Sequence, residues 1–202
     1  MSKRYQIAIL GATYGSLLST KLLLGGHDVT LVGLPEEVEL INREGTRVRI
    51  PVKGQDQLLE IDSRVLSGEL RALAPEAVAA VDYDLIVLAM QEPQYAQASI
   101  RALLEKVAHS KTPCLSIMNM PPLPYLARIP GFPLEACRHC YTDASIWDAF
   151  DPALITLCSP DPQAYRPPDV ALNVLQVGLP TNFKAARFDS EHHTAILRQL
   201  EA

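Results

Sequence analysis

The chain has 202 residues, 48% of them hydrophobic, and its 18 Lys and Arg against 23 Asp and Glu leave a net charge of −5. That is enough apolar material for one substantial core, while the acidic balance argues against a nucleic-acid or anionic-membrane surface and for a small-molecule partner. No apolar run approaches the roughly 20 residues of a membrane span, and Met1-Ser2-Lys3-Arg4 leads into a segment too short and too β-branched for a signal peptide, so the expected location is the cytoplasm.

Ile7-Ala8-Ile9-Leu10 is an isoleucine-rich run that reads as a buried strand. Gly11-Ala12-Thr13-Tyr14-Gly15-Ser16 carries it into an apolar-faced segment closed by Gly25-Gly26, the usual stop of a helix. Residues 28–32 follow as a second strand, so the opening unit is β-α-β, the nucleotide-binding half of a Rossmann fold. Glycine belongs in such a turn because the backbone must bend sharply and then let a pyrophosphate rest against the amides at the helix N-terminus. Counted from Gly11, the G-x-G-x-x-G pattern would place glycine at 13 and 16, where this chain has Thr13 and Ser16, with Gly15 displaced by one. Thr13 puts a β-branched side chain where a phosphate wants bare backbone. Ser16 is small enough for close helix packing and could offer a hydroxyl. The stretch is therefore either a degenerate phosphate cradle or a turn that binds nothing.

Gly33-Leu34-Pro35 stands where such a fold chooses its cofactor. An acid about 20 residues after the glycine motif would take the ribose 2′-hydroxyl of NAD, and an arginine the 2′-phosphate of NADP. Glu36 and Glu37 are candidates for the first, and Arg43, Arg47, Arg49 and Lys53 for the second, though a solvated strand face accounts better for the arginines. Residues 47–52 alternate as a half-exposed edge strand does, with 58–61 as a partner, and 75–80 resemble a short helix. Residues 84–90 form a continuous apolar run suited to a central parallel strand. Glu92-Pro93 then opens a helix with Ala96, Ile100, Leu103, Leu104 and Val107 at helical spacing, and 114–118 form a strand that ends at Asn119. Right-handed crossovers set the strands at 84–90 and 114–118 in one parallel sheet with the first two. Ligands of such sheets bind beyond the carboxyl ends of the strands. That puts residues 11–16, Gly33, Leu34, Ala89, Met90, Gln91 and Asn119 along one rim.

Most of the sixteen prolines lie after residue 112. Short runs at 145–147, 154–157 and 170–177, separated by loops such as Ser159-Pro160-Asp161-Pro162 and Arg166-Pro167-Pro168-Asp169, suggest antiparallel additions to the sheet edge. The fold class expected is thus α/β, a doubly wound, mostly parallel sheet over residues 1–188. Cys114, Cys137, Cys140 and Cys158 read as reduced thiols; Cys137-Arg138-His139-Cys140 has a C-x-x-C spacing but no second ligand pair at a suitable distance, so no metal is expected. Asp189 or Ser190 caps a final helix whose apolar stripe, Ala195, Ile196, Leu197 and Leu200, should pack on something. Residues 189–202 are read as the start of a helix belonging to a further C-terminal helical domain, with self-association the other way to cover that stripe.

Ile7-Ala8-Ile9-Leu10-Gly11, Gly26-His27-Asp28-Val29-Thr30-Leu31-Val32, Asp84-Leu85-Ile86-Val87-Leu88-Ala89 and Met118-Asn119 together resemble the N-terminal domain of the ketopantoate reductase family, over about residues 5–125. The resemblance implies reduction of a 2-oxo acid or related small carbonyl with NAD(P)H, favouring NADP, and implies that Asn119 sits near the nicotinamide and the substrate carbonyl. The chain departs from the family pattern at Thr13, at Leu34 where a basic residue is usual, at Met90-Gln91 where a lysine follows, and at Met120 where a glycine is usual. By the same resemblance the catalytic lysine belongs to the helical domain, so these residues alone would bind a cofactor without turning over. The alternative reading is a Rossmann-type binding or dimerisation module that has lost its cofactor. Gly11-Ala12-Thr13 also suggests a short-chain dehydrogenase, but no tyrosine of the chain has the lysine four residues later that such an enzyme needs.

Overall fold

The computed structural model describes residues 3–159, 164–178 and 183–201. Met1, Ser2, Ala202 and the loop expected at 159–162, beyond Ser159, lie outside the described residues. β1 (Gln6–Leu10), α1 (Ala12–Leu24) and β2 (Asp28–Val32) form the opening unit where the sequence places it. Ile7, Ala8, Ile9 and Leu10 have no exposed surface, as a strand covered on both faces requires. α1 stops at Gly25 and Gly26, the latter with φ +80°, a value at which a Cβ is strained.

α2 (Pro35–Glu44) comes next, in a charged stretch where no element is expected from the sequence. Pro35 opens its first turn, and Glu37 Oε2 accepts the Leu34 N–H at 3.2 Å, a reach-back that satisfies an orphan donor of the helix start. β3 (Arg47–Ile50) pairs antiparallel with β4 (Leu59–Asp62), the partner expected, but β3 is an inner strand rather than an edge, because a later strand pairs along its other side. β5 (Leu70–Leu73) is a strand the sequence does not announce. β6 (Leu85–Leu88), α3 (Ala98–Ser110) and β7 (Cys114–Ser116) make the second crossover. Two expectations change here. Residues 75–80 form 3₁₀ turns at Pro75–Ala77 and Ala80–Asp82 with Val78 extended between them, and a separate 3₁₀ turn, Glu92–Ala96, precedes α3. One-turn helices α4 (Leu123–Leu126) and α5 (Leu134–Cys137) then lead to β8 (Ile155–Leu157), β9 (Ala164–Tyr165), β10 (Val174–Val177) and α6 (Glu191–Glu201).

The main sheet has the order β5-β2-β1-β6-β7-β8 with every pair parallel. Alternate residues of β1 face opposite layers: Ala8 and Leu10 pack with Ile100, Leu103 and Leu104 of α3, whereas Ile7 and Ile9 pack with Leu18, Leu22 and Leu23 of α1. Helices thus cover both faces, and the sheet is doubly wound. The C-terminal third differs in detail from the edge additions expected. β8 joins the main sheet in parallel, residues 145–147 lie in a 3₁₀ turn, and the antiparallel pairs belong to a second sheet, β4-β3-β10-β9, in which β10 runs parallel to β3 and antiparallel to β9. Val48, Leu175 and Val177 of this sheet cluster with Leu17 of α1. Ile196 and Leu197 of α6 are buried in the layer that holds α1. Among the described residues, no helix is long and apolar enough to cross a membrane and no three His, Cys, Asp or Glu side chains group as metal ligands.

Candidate functional site

The chain leaves β1 for β2 and β5 on one side and continues from β6 to β7 and β8 on the other, so the strand order reverses between β1 and β6. A cavity of about 500 Å³ opens at the carboxyl ends of these strands, within the roughly 300–1,000 Å³ of small-molecule sites. Gly11 holds its floor together. Its N–H donates to Val32 O at 2.9 Å, its φ is +112°, and a Cβ there would lie 2.5 Å from Ala89 O, so a side chain would wedge β1 and β6 apart at the rim. The first wall is Gly11, Ala12, Thr13 and Tyr14; the second is Gly33 and Leu34; the third is Ala89, Met90 and Gln91.

Gly15 and Ser16, also expected at the site, do not line the cleft. A Cβ on Gly15 would meet Ile9 Cγ2 at 2.5 Å, so Gly15 performs the helix-to-strand packing of the fingerprint's third glycine from one position earlier. The Ser16 hydroxyl donates to Ala12 O at 2.5 Å and is buried, so it faces no ligand. Asn119 is exposed beside a smaller neighbouring cavity that it shares with Tyr14, Met90 and Gln91. Gln91 Nε2 donates to Tyr14 OH at 3.0 Å, joining the β1–α1 turn to the end of β6.

Three further side chains carry the site's geometry: Tyr95 and Arg166, which the sequence does not single out, and Glu37, which it names only as a candidate for the ribose. The hydroxyl of Tyr95, which is fully buried, accepts the Met90 N–H at 3.1 Å; burial pushes its pKa far above that of a free phenol, so it stays neutral and anchors the strand end. Glu37 and Arg166 meet over the glycine-motif turn. Arg166 Nη2 donates to Glu37 Oε1 at 2.9 Å and to Thr13 Oγ1 at 2.6 Å, and Thr13 Oγ1 donates to Glu37 Oε1 at 3.4 Å. Glu37 is one of two acids named for the ribose, but nothing in the sequence joins it to an arginine 129 positions away. The only local signal at Arg166 is the pair of prolines after it, which favours an extended backbone.

The arrangement suits a phosphorylated ligand. α1 has no acidic residue of its own in its first turn, and the nearby Glu37 carboxylate is paired with Arg166, so the orphan amides and positive dipole end of the helix remain suited to an anion. The Thr13 hydroxyl, the obstacle the sequence raises, is bonded to Glu37 and Arg166.

A family model described as ketopantoate reductase PanE/ApbA matches residues 7–120, more than half of the chain. The chain belongs to the ketopantoate reductase PanE/ApbA family. Its fold is that of a protein assigned as a ketopantoate reductase from Ralstonia solanacearum MolK2, at 15% identity and TM-score 0.65, covering 98% of this chain and 58% of that one. One assigned as a 2-dehydropantoate 2-reductase from Bacillus subtilis matches at 20% identity and TM-score 0.59, covering 96% and 54%. Octopine dehydrogenase in complex with NADH and agmatine matches at 13% identity and TM-score 0.56, covering 98% and 46%. The chain thus spans about half the length of these structures. A comparison with curated proteins gives no match. In this ketopantoate reductase family member, the cleft at the β1–β6 reversal lies within the matched residues except for Arg166.

Proposed function

We propose that this chain is the dinucleotide-binding half of an NAD(P)-dependent oxidoreductase that reduces a small 2-oxo acid or related carbonyl. The observation that carries the reading is the coincidence of the cleft of about 500 Å³ at the strand ends with the point where the strand order reverses, the place where open α/β sheets bind nucleotides. Membership of the ketopantoate reductase family supports it. The first-turn amides of α1 receive the pyrophosphate, Gly33 and Leu34 lie along the adenosine ribose, and Met90, Gln91 and Asn119 form the end toward the nicotinamide and the carbonyl. When bound, the nicotinamide supplies the hydride. Asn119, with an amide that can both donate and accept, orients the nicotinamide or the substrate carbonyl, and the Gln91–Tyr14 bond keeps the two walls in register. The groups that bind the substrate and deliver its proton are assigned to a partner domain or a second copy, so the 202 residues alone bind cofactor without turnover.

Calorimetric titration of the folded chain with NADH and with NADPH tests this reading. Binding of at least one below millimolar concentration is expected. No heat from either at millimolar concentration, with an unaltered circular dichroism spectrum, overturns it. One observation favours a second reading, a module that has lost its cofactor: Arg166 and Glu37 meet inside the cleft over Thr13. The same titration separates the two.

A further inference from the structure

Glu37 is an unusual surface glutamate. Its side chain is only 12% exposed, although it begins a solvent-facing helix. One oxygen accepts the Leu34 N–H at 3.2 Å, and the other receives Arg166 Nη2 at 2.9 Å and the Thr13 hydroxyl at 3.4 Å. A Cβ placed on Gly33 would lie 2.9 Å from Oε2, so the carboxylate rests on bare backbone directly beyond β2. From that position a Rossmann fold reads the adenosine ribose, a carboxylate taking the 2′-hydroxyl or an arginine the 2′-phosphate.

Both groups are present here, and they are not equivalent. The guanidinium of Arg166 is already engaged with Glu37 and Thr13, the pair carries no net charge, and Leu34 beside it supplies no cation. A 2′-phosphate would have to approach the Glu37 carboxylate or break the pair, and like charges brought together in a half-buried site are strongly disfavoured. A free ribose diol needs neither change. Its hydroxyl donates to a carboxylate that Arg166 and Thr13 already hold in place, a charge-assisted bond to a preorganised acceptor.

We infer that Glu37 selects the adenosine ribose of the cofactor and that this chain takes NAD(H) in preference to NADP(H). Arg166, arriving from the second sheet, is a positioning residue that fixes the carboxylate, and Thr13 has a use there that glycine would not. The inference rests on the cofactor-binding reading above.

The test is the pair of dissociation constants for NADH and NADPH, measured by calorimetry on the full chain, on Glu37→Gln and on the double variant Glu37→Gln, Arg166→Gln. The wild-type chain should bind NADH more tightly by roughly tenfold or more, the scale of one charge-assisted hydrogen bond against a like-charge approach. Glu37→Gln frees the guanidinium and removes the repulsion, so the preference should reverse toward NADPH. The double variant should lose that gained NADPH affinity. A measurement on the wild-type chain needs no variant to fold: NADH whose adenosine ribose lacks the 2′-hydroxyl should bind roughly tenfold more weakly. A wild-type preference for NADPH, an unchanged ratio in Glu37→Gln, or equal binding of the 2′-deoxy cofactor overturns the inference while leaving cofactor binding intact. No binding of either cofactor by the folded wild-type chain overturns both.

Discussion

Three glycines of the first unit do three different jobs, and the distances separate them. Gly11 permits a positive φ and a backbone contact with Ala89, Gly15 leaves room for Ile9, and Gly26 has φ +80° with nothing within 4 Å of where a Cβ would stand. Gly15→Ala should gain helix propensity of about 1 kcal/mol but lose about 1–3 kcal/mol by overpacking against a β-branched, fully buried isoleucine. Packing wins, and the thermal midpoint should fall by about 2–4 °C per kcal/mol of net loss. Gly26→Ala costs only backbone strain, about 1–2 kcal/mol, and should leave cofactor affinity untouched because it lies at the opposite end of α1 from the cleft. Comparing the two variants by thermal melt and by NADH titration checks both statements. That Gly11, Ala12, Thr13 and Tyr14 line the cleft is legible in the sequence because strand-turn-helix chemistry is local. Gly15 faces Ile9 and the Ser16 hydroxyl faces the helix backbone, which motif counting does not show because it carries no information about which way a helical residue faces.

Among the elements, β1 and β6 are legible since a strand buried on both faces must be apolar at every position. β5 is not: Leu70-Arg71-Ala72-Leu73 is short and interrupted by an arginine, whose Nε donates to Thr30 Oγ1 at 2.9 Å. Its pairing with β2 is a tertiary event. α2 carries readable signals, proline in the first turn and Glu37 three residues after Leu34, but its charge masks any apolar stripe, with Ile41 alone fully buried. The join between α1 and β2 adds a pH dependence. His27 is buried there, its Nδ1 accepting the Tyr5 N–H at 3.3 Å, and burial holds its pKa below the usual 6.5. The fold therefore disfavours the imidazolium, the unfolded chain binds the proton first, and stability should drop as pH falls from about 6.5 toward the lowered native value. His193, lowered by burial and by His192, contributes with the same sign. Asp28 acts in a separate window. Burial would raise its pKa, but Arg4, the Glu69 N–H and Gln6 outweigh that and hold it below 3.8, so its contribution is lost only under stronger acid. Denaturant midpoints at about pH 7 and 5.5, on either side of the ordinary imidazole value, should differ in the wild type and differ less in His27→Gln.

Across the whole molecule, two sheets converge on one cleft. The main sheet supplies three strand ends, and the second sheet, built from β3 and β4 with strands more than a hundred residues later, brings Arg166 to Thr13 and Glu37. The rim is legible because parallel crossovers force successive strand ends to the same side. The arginine is not, because its place depends on β10 pairing with β3, which no local pattern encodes. The C-terminal third, unremarkable as sequence, completes the site. Hydrogen–deuterium exchange with and without saturating NADH addresses the central claim most directly, since it reports where a dinucleotide is held. Slower exchange is predicted at amides in 11–14, 33–37 and 89–91 together. Unchanged exchange at these three segments, or protection confined to other surfaces, would contradict a dinucleotide site at the β1–β6 reversal.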